Sequence, residues 1–219
     1  APPPAPAPVL PPAPAPALAP PPRPSDAAVR ALLEKVGGTF EQAVHARELN
    51  WGWKNLNADD AKVVAYVVAV SSSLVTLRLA RNRIGDEGAS ALAEGLKGNS
   101  TLQSLDLARN NIGVEGASKL AAVLKETKIE KLDLYFNQIG AQGASALAAV
   151  LKETKISELD LYNNYIGDEG ASALAAVLKE TKISNLDLAN NQLCGLDYRG
   201  SGTYTAEGIT KLCEGLKES

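Results

Sequence analysis

The stretch Lys131-Leu-Asp-Leu-Tyr-Phe-Asn-Gln-Ile139 carries two signals at once. From Lys131 to Tyr135 polar and apolar residues alternate at period two, the mark of a half-buried strand. Leu132 and Leu134 then face inward, while Lys131, Asp133 and Tyr135 face out. Asn137 follows at a turn. The same Leu-x-Leu-x-x-Asn-x-Ile/Leu pattern recurs as Leu77/Leu79/Asn82/Ile84 and Leu105/Leu107/Asn110/Ile112. It returns again as Leu159/Leu161/Asn164/Ile166 and Leu186/Leu188/Asn191/Leu193. Successive asparagines are thus about 27 residues apart, and a fixed period in the twenties marks a solenoid. In a solenoid each unit buries its apolar face against its neighbours.

The second half of each unit reads as a helix. Ile139-Gly140 leads into one near Gly143, with Ala144, Leu147, Ala148 and Leu151 inward at helical spacing. Acidic pairs such as Asp86-Glu87 and Asp168-Glu169 are expected to precede the helices, and Lys97, Lys125, Lys152 and Lys179 to close them, both favourable for the helix dipole. The predicted fold class is α/β: a solenoid with parallel strands on a concave face and helices on a convex one. The segment Ala-Ala-Val-Leu-Lys-Glu-Thr-Lys-Ile repeats without change at 121–129, 148–156 and 175–183. That points to recent duplication or consensus engineering, and leaves specificity to the concave side, an insertion or an arm.

Both ends depart from the repeat. One period before Leu77, Leu79 and Ile84 stand Leu49, Trp51 and Leu56, with Lys54 in place of the asparagine. Upstream, Ser25–Val36 reads as a helix with Ser25 as N-cap and Gly37 as stop, and Thr39-Phe-Glu-Gln42 as a capping box opening a second short helix. Residues 25–70 are therefore expected to cap the stack and 71–219 to hold the repeats. In the last unit the matching Gly208 stands much farther from Asn191 than Gly170 does from Asn164. The difference is an insertion of roughly 11 residues around 196–205, and insertions into single repeats map to loops. A closing helix is expected over Glu207–Leu216. Residues 1–24 hold all 13 prolines. An Ala/Pro segment of this kind builds no core and runs extended, reaching about 75 Å at roughly 3.1 Å per residue.

Motifs such as Ile84-Gly-Asp-Glu-Gly-Ala89 and Leu105-Asp-Leu107 make residues 46–217 resemble leucine-rich repeats of the ribonuclease-inhibitor-like subclass. NOD-like receptor sensors and the GTPase-activating protein of Ran share that subclass. The resemblance implies that the asparagine amides bond backbone groups of the turns and stack in a ladder, Asn137 between Asn110 and Asn164. The stretch Leu193–Gly208 resembles an insertion found in leucine-rich repeat proteins of algae and other protists. The subclass hosts many unrelated roles, so function has to be read from the residues.

Net charge is −3, without the basic excess of a nucleic-acid binder. The longest apolar run, Val63–Val70, is far short of the ~20 residues that span a bilayer, so membrane association would be peripheral and through partners. His45 is the single histidine, which excludes a His-based metal cluster and a Ser/His/Asp triad. Asp197, Ser201, Thr203 and Glu207 offer oxygens, but their spacing is not that of an EF-hand and Arg199 interrupts them. No phosphate-cradling or dinucleotide motif is present. The expectation is a protein without catalytic role, cofactor or metal.

The candidate site is the concave face, read by columns. One holds Arg78, Asp106, Asp133, Asp160 and Asp187, with carboxylates about 4.8 Å apart on adjacent strands. Flanking columns supply Lys131 and Glu158, Tyr135 and Tyr162, and Arg81, Arg109 and Phe136. Exposed aromatics beside acidic groups are the usual make-up of a protein-binding hot spot. Cys194 and Cys213, the only two cysteines, flank the insertion. They are either a disulfide pinning that loop or a turn residue and a small core residue. The chain contains no Met; a trimmed initiator with a cytoplasmic protein and a removed presequence with an organellar one, for example in a plastid, both fit. The expected function is a protein-binding scaffold, an accessory subunit of a larger assembly that uses the concave face and the Pro/Ala arm. The alternative is a regulatory module of the Ran-GTPase-activating, inhibitor or adaptor kind.

Overall fold

The computed structural model describes residues 20–196 and 199–217; the arm over residues 1–19 and Asp197 in the insertion lie outside the described residues. The chain opens with helices α1 (Asp26–Val36) and α2 (Phe40–His45), then alternates strand and helix. The strands are β1 (Glu48–Asn50), β2 (Thr76–Arg78), β3 (Ser104–Asp106), β4 (Lys131–Asp133), β5 (Glu158–Asp160) and β6 (Asn185–Asp187). Between them run α3 (Ala58–Val70), α4 (Gly85–Leu96), α5 (Val114–Leu124), α6 (Gly140–Leu151) and α7 (Gly167–Ala175), and α8 (Glu207–Lys217) closes the described chain. The strands form one open parallel sheet in sequence order. Pairing follows the repeat register: Leu49, Leu77, Leu105, Leu132, Leu159 and Leu186 stand side by side. From α3 to α8 each helix packs on the next. Strands sit ~4.8 Å apart and helices roughly 8–10 Å apart, so the sheet lines the inside of the curve.

The core is a continuous column of leucine, isoleucine and alanine between sheet and helices, with Leu79, Leu107, Leu134 and Leu161 fully buried. Helices approach closely because glycine sits at the crossings: a Cβ on Gly143 would lie 2.6 Å from the Ile139 side chain and 3.1 Å from that of Ala117. The helices α4, α6 and α7 begin at Gly85, Gly140 and Gly167, whose φ of 62–66° suits glycine. The start of α6 therefore falls ahead of the expected Gly143, and the acidic pairs lie inside the first turns of α4 and α7. Asp86 also reaches across to the next repeat, where its Oδ1 accepts the N–H groups of Gly113 (2.6 Å) and Gly116 (2.9 Å) at the start of α5. Asp168 accepts likewise from Gly208 at the start of α8. Lys97, Lys125 and Lys152 stand at helix C-caps as expected. Lys179 instead lies in a 3-10 turn, Leu178–Glu180, after α7 has ended.

The asparagines are the polar spine. Asn137, 2% exposed, donates to the carbonyls of Leu134 in its own turn (2.9 Å) and Leu107 in the preceding one (3.1 Å). Its Oδ1 accepts the N–H groups of Asn110 and Ile112, both at 3.0 Å. Asn191 makes the equivalent set with Leu188, Leu161, Asn164 and Ile166. At the other end Asn82 serves the degenerate first unit, accepting from Lys54 and Leu56, so that unit needs no asparagine of its own to be held in register.

At the N-terminal end, Ser25 caps α1 and a Thr39/Gln42 capping box opens α2, and both helices pack on α3. The buried Asp60 carboxylate is compensated by Lys35 at 2.5 Å and by the Asn57 N–H, which ties α1 to α3. The C-terminal end is less closed. Leu186, Leu188 and Leu193 are only half-buried, although their counterparts Leu159, Leu161 and Ile166 are 0–2% exposed. The two cysteines stand unbridged, Cys194 half-buried and Cys213 exposed rather than in the core. The reason lies in helix phase: Leu212 is the inward residue of α8, and Cys213 beside it turns to the exposed face.

Replacing Asn137 by alanine strips partners from two buried carbonyls and two buried N–H groups. At about 1 kcal/mol each, the expected loss is on the order of 4 kcal/mol. Urea unfolding of the wild type and Asn137→Ala checks it; a loss below about 1 kcal/mol, the worth of a single such bond, would contradict the ladder.

A candidate protein-binding face

The register of the sheet brings the sequence-selected residues onto one surface. Asp106, Asp133, Asp160 and Asp187 pair directly with one another on β3–β6, and Arg78 precedes Asp106 on β2. With Lys131 and Glu158 they line a trough of about 370 Å³. Lys131 is paired with Glu158 at 2.6 Å, and Arg78 with Glu48. Each aspartate also holds its own turn, because its Oδ1 accepts the N–H of the residue two places on. Those residues are Ala108, Tyr135, Tyr162 and Ala189, and the distances are 2.8–3.0 Å. Asn50 makes the corresponding bond to Gly52. A neutral amide therefore serves the turn as well, and the four negative charges exceed what the fold requires.

Three of those charges carry a penalty. Burial raises the Asp133 carboxyl, opposed by the Tyr135 N–H and reinforced by Asp106 and Asp160, to about 6. Asp106 and Asp160 are likewise raised, chiefly by burial, with their backbone N–H bonds opposing.

Beyond the aspartates the strands run into a second strip. The rings of Tyr135 and Tyr162 stack with centroids 4.9 Å apart, and Phe136 leans on Tyr135 at 5.9 Å. The Arg109 guanidinium lies 4.2 Å from the Phe136 ring centre and donates to the Tyr135 hydroxyl at 3.2 Å. Asn190 donates to the Tyr162 hydroxyl. One repeat row earlier, Arg81 lies 4.1 Å over Trp53, which is 70% exposed. Trp53 and Glu48 were not among the residues selected from sequence. Trp53 stands in the same column as Arg81, in the degenerate first unit, and it is the contact with the Arg81 guanidinium that brings it into the site.

The backbone of this column is left-handed throughout: Trp53, Arg81, Arg109, Phe136, Asn163 and Asn190 have φ of 52–60°. Asparagine tolerates that conformation, whereas a bulky residue there costs about 1 kcal/mol or more. Two aromatics and two arginines are therefore held where smaller residues would sit with less strain.

The leucine-rich repeat family profile matches residues 70–93, 98–121, 125–148 and 152–175. Over those residues, less than half of the chain, the sequence is similar to leucine-rich repeats. Among solved structures, the chain is similar to one titled leiomodin-1 actin-binding site 2, at 19% identity and a TM-score of 0.48, over 89% of this chain and 90% of that one. No curated protein sequence matches. Among the described residues, no helix is long and apolar enough to cross a membrane.

The penalty at Asp133 gives a pH test. A carboxyl whose folded pKa, about 6, lies above its usual 3.8 favours the fold below pH 3.8. That contribution is lost as pH rises through 6. Asp133→Asn keeps the acceptor for Tyr135 and removes the charge. After discounting for its solvent-facing part, the expected gain is about 1 kcal/mol at pH 7.5, fading to nothing near pH 4. Urea unfolding at pH 7.5 and pH 4 checks it; a loss of stability at pH 7.5 would contradict it.

Proposed function

We propose that the chain is a protein-binding scaffold that contributes its concave face to a larger assembly as an accessory subunit. The observation that carries the reading is the strip centred on Tyr135, Phe136 and Tyr162, stacked and partly exposed, with Phe136 on a left-handed backbone that a smaller residue would adopt with less strain. Surface that costs stability and serves no internal packing need is what a binding surface looks like. The four aspartates point the same way, since Asn50 shows that their turn is satisfied without a charge. Aromatic side chains flanked by charge concentrate binding energy in few residues. The third to fifth units share the segment Ala-Ala-Val-Leu-Lys-Glu-Thr-Lys-Ile at 121–129, 148–156 and 175–183, so this part of their convex side offers little to distinguish one partner from another.

The test is affinity capture from an extract of the source organism, with wild type and the Tyr135→Ala plus Tyr162→Ala variant compared by quantitative mass spectrometry. Both proteins are first shown to share one circular dichroism spectrum. At about 2 kcal/mol for a hot-spot aromatic, the variant is expected to retain at least tenfold less partner. Equal recovery by the two proteins would reject the concave-face reading.

A further inference from the structure

Resting on the concave-face reading, we propose that the ridge formed by Trp53, Arg81, Arg109 and Phe136 docks an acidic segment of the partner, with carboxylates placed against the two guanidinium groups. The basic residues of this face differ in how they are paired. Arg78 is bound to Glu48 and Lys131 to Glu158. Arg81 and Arg109, in contrast, have no carboxylate partner among the described residues. Arg81 rests on the Trp53 ring at 4.1 Å, and Arg109 on Phe136 at 4.2 Å and Tyr135 at 5.2 Å. A guanidinium stacked on a ring keeps its edge N–H groups in its own plane, free for two parallel bonds to a carboxylate. Arg109 donates one Nη to the Tyr135 hydroxyl and its Nε is buried, so its other Nη is the group left for a carboxylate, while Arg81 keeps its edge for a paired contact.

The placement is repeated. Both arginines occupy the same column, at φ of 58° and 54°, and each lies beside an aromatic residue of that column, also left-handed, at φ of 60° and 55°. Two copies of a strained Arg–aromatic pair form a ridge along the end of the strands. The aspartates of the face form a separate row that shares only the third and fourth repeats with the ridge. Asp106, Asp133, Asp160 and Asp187 occupy the third to sixth strands and belong to a different column. The free positive charge is concentrated toward the N-terminal half of the face and the negative charge toward the C-terminal half. Charge complementarity therefore commits the ridge to carboxylates, and a basic stretch of the same partner would face the aspartates.

Trp53 supplies the readout, because it is 70% exposed while Trp51, the other tryptophan, is 6% exposed. The probes are a twelve-residue alternating Glu/Ser peptide and its Gln/Ser counterpart, titrated into the full chain at low salt and followed by Trp fluorescence and acrylamide quenching. The Glu peptide is expected to bind at least tenfold more tightly than the Gln peptide and to protect Trp53. That preference is expected to fall several-fold in Arg81→Gln and to vanish in Arg81→Gln plus Arg109→Gln, while Lys119→Gln, on the exposed side of α5, leaves it in place. Equal binding of the two peptides by wild type, or a preference that survives the double variant, would overturn the proposal. If the peptide preference fails while Tyr135→Ala plus Tyr162→Ala still loses its partner, the ridge assignment alone falls. If both fail, the concave-face reading falls with it.

Discussion

A buried asparagine side chain in each of the five full repeats meets backbone groups of two successive turns. Asn137 does so by joining Leu134 of its own turn to Leu107, Asn110 and Ile112 of the turn before. The same side chain therefore closes a turn and fastens two repeats together. Such short strands make few ladder bonds of their own, so register depends heavily on this link. A shift by one residue would bury polar outward-facing side chains and expose the leucines. With the register fixed, every outward column of the sheet becomes a straight row, and the aspartate, tyrosine and arginine rows follow without further instruction.

The repeat period made much of this readable from the sequence. It placed Leu49 one unit before Leu77, and the sheet pairs those two residues. What the period did not carry was local backbone geometry. The glycines at 85, 140 and 167 look like helix breakers, yet they sit at the first helical position because the chain enters each helix from a left-handed turn. Lys179 has the sequence surroundings of Lys152, which closes a helix. The seventh helix nevertheless stops at Ala175 near the end of the stack, where the packing of half-buried Leu186 and Leu188 is looser. The two cysteines flank the insertion in sequence, but the phase of the last helix is set by Leu212 and turns Cys213 away.

The site divides along the same line. Which residues share the concave face was readable, since it needs only period two within strands and the repeat between them. How those residues interact was not. The alternation marks Asp133 as outward-facing, but neither its bond to Tyr135 nor its half-burial, which together decide its protonation, follows from that pattern. Pairing of Arg78 and Lys131 with neighbouring carboxylates, against the stacking of Arg81 and Arg109 on rings, depends on side-chain direction at a left-handed residue. Charge and strain beyond what the fold needs are concentrated on one side of the molecule, and that asymmetry is the basis for assigning function to it.

Amide hydrogen exchange on the native chain tests the dependence of register on the asparagine ladder most directly. The account predicts that the N–H groups of Asn110, Ile112 and Asn164, which lie in turns but donate to asparagine side chains, exchange as slowly as those of the adjoining strands. Exchange at the rate of the exposed turns would contradict it, because the repeats would then be held in register by something other than the ladder.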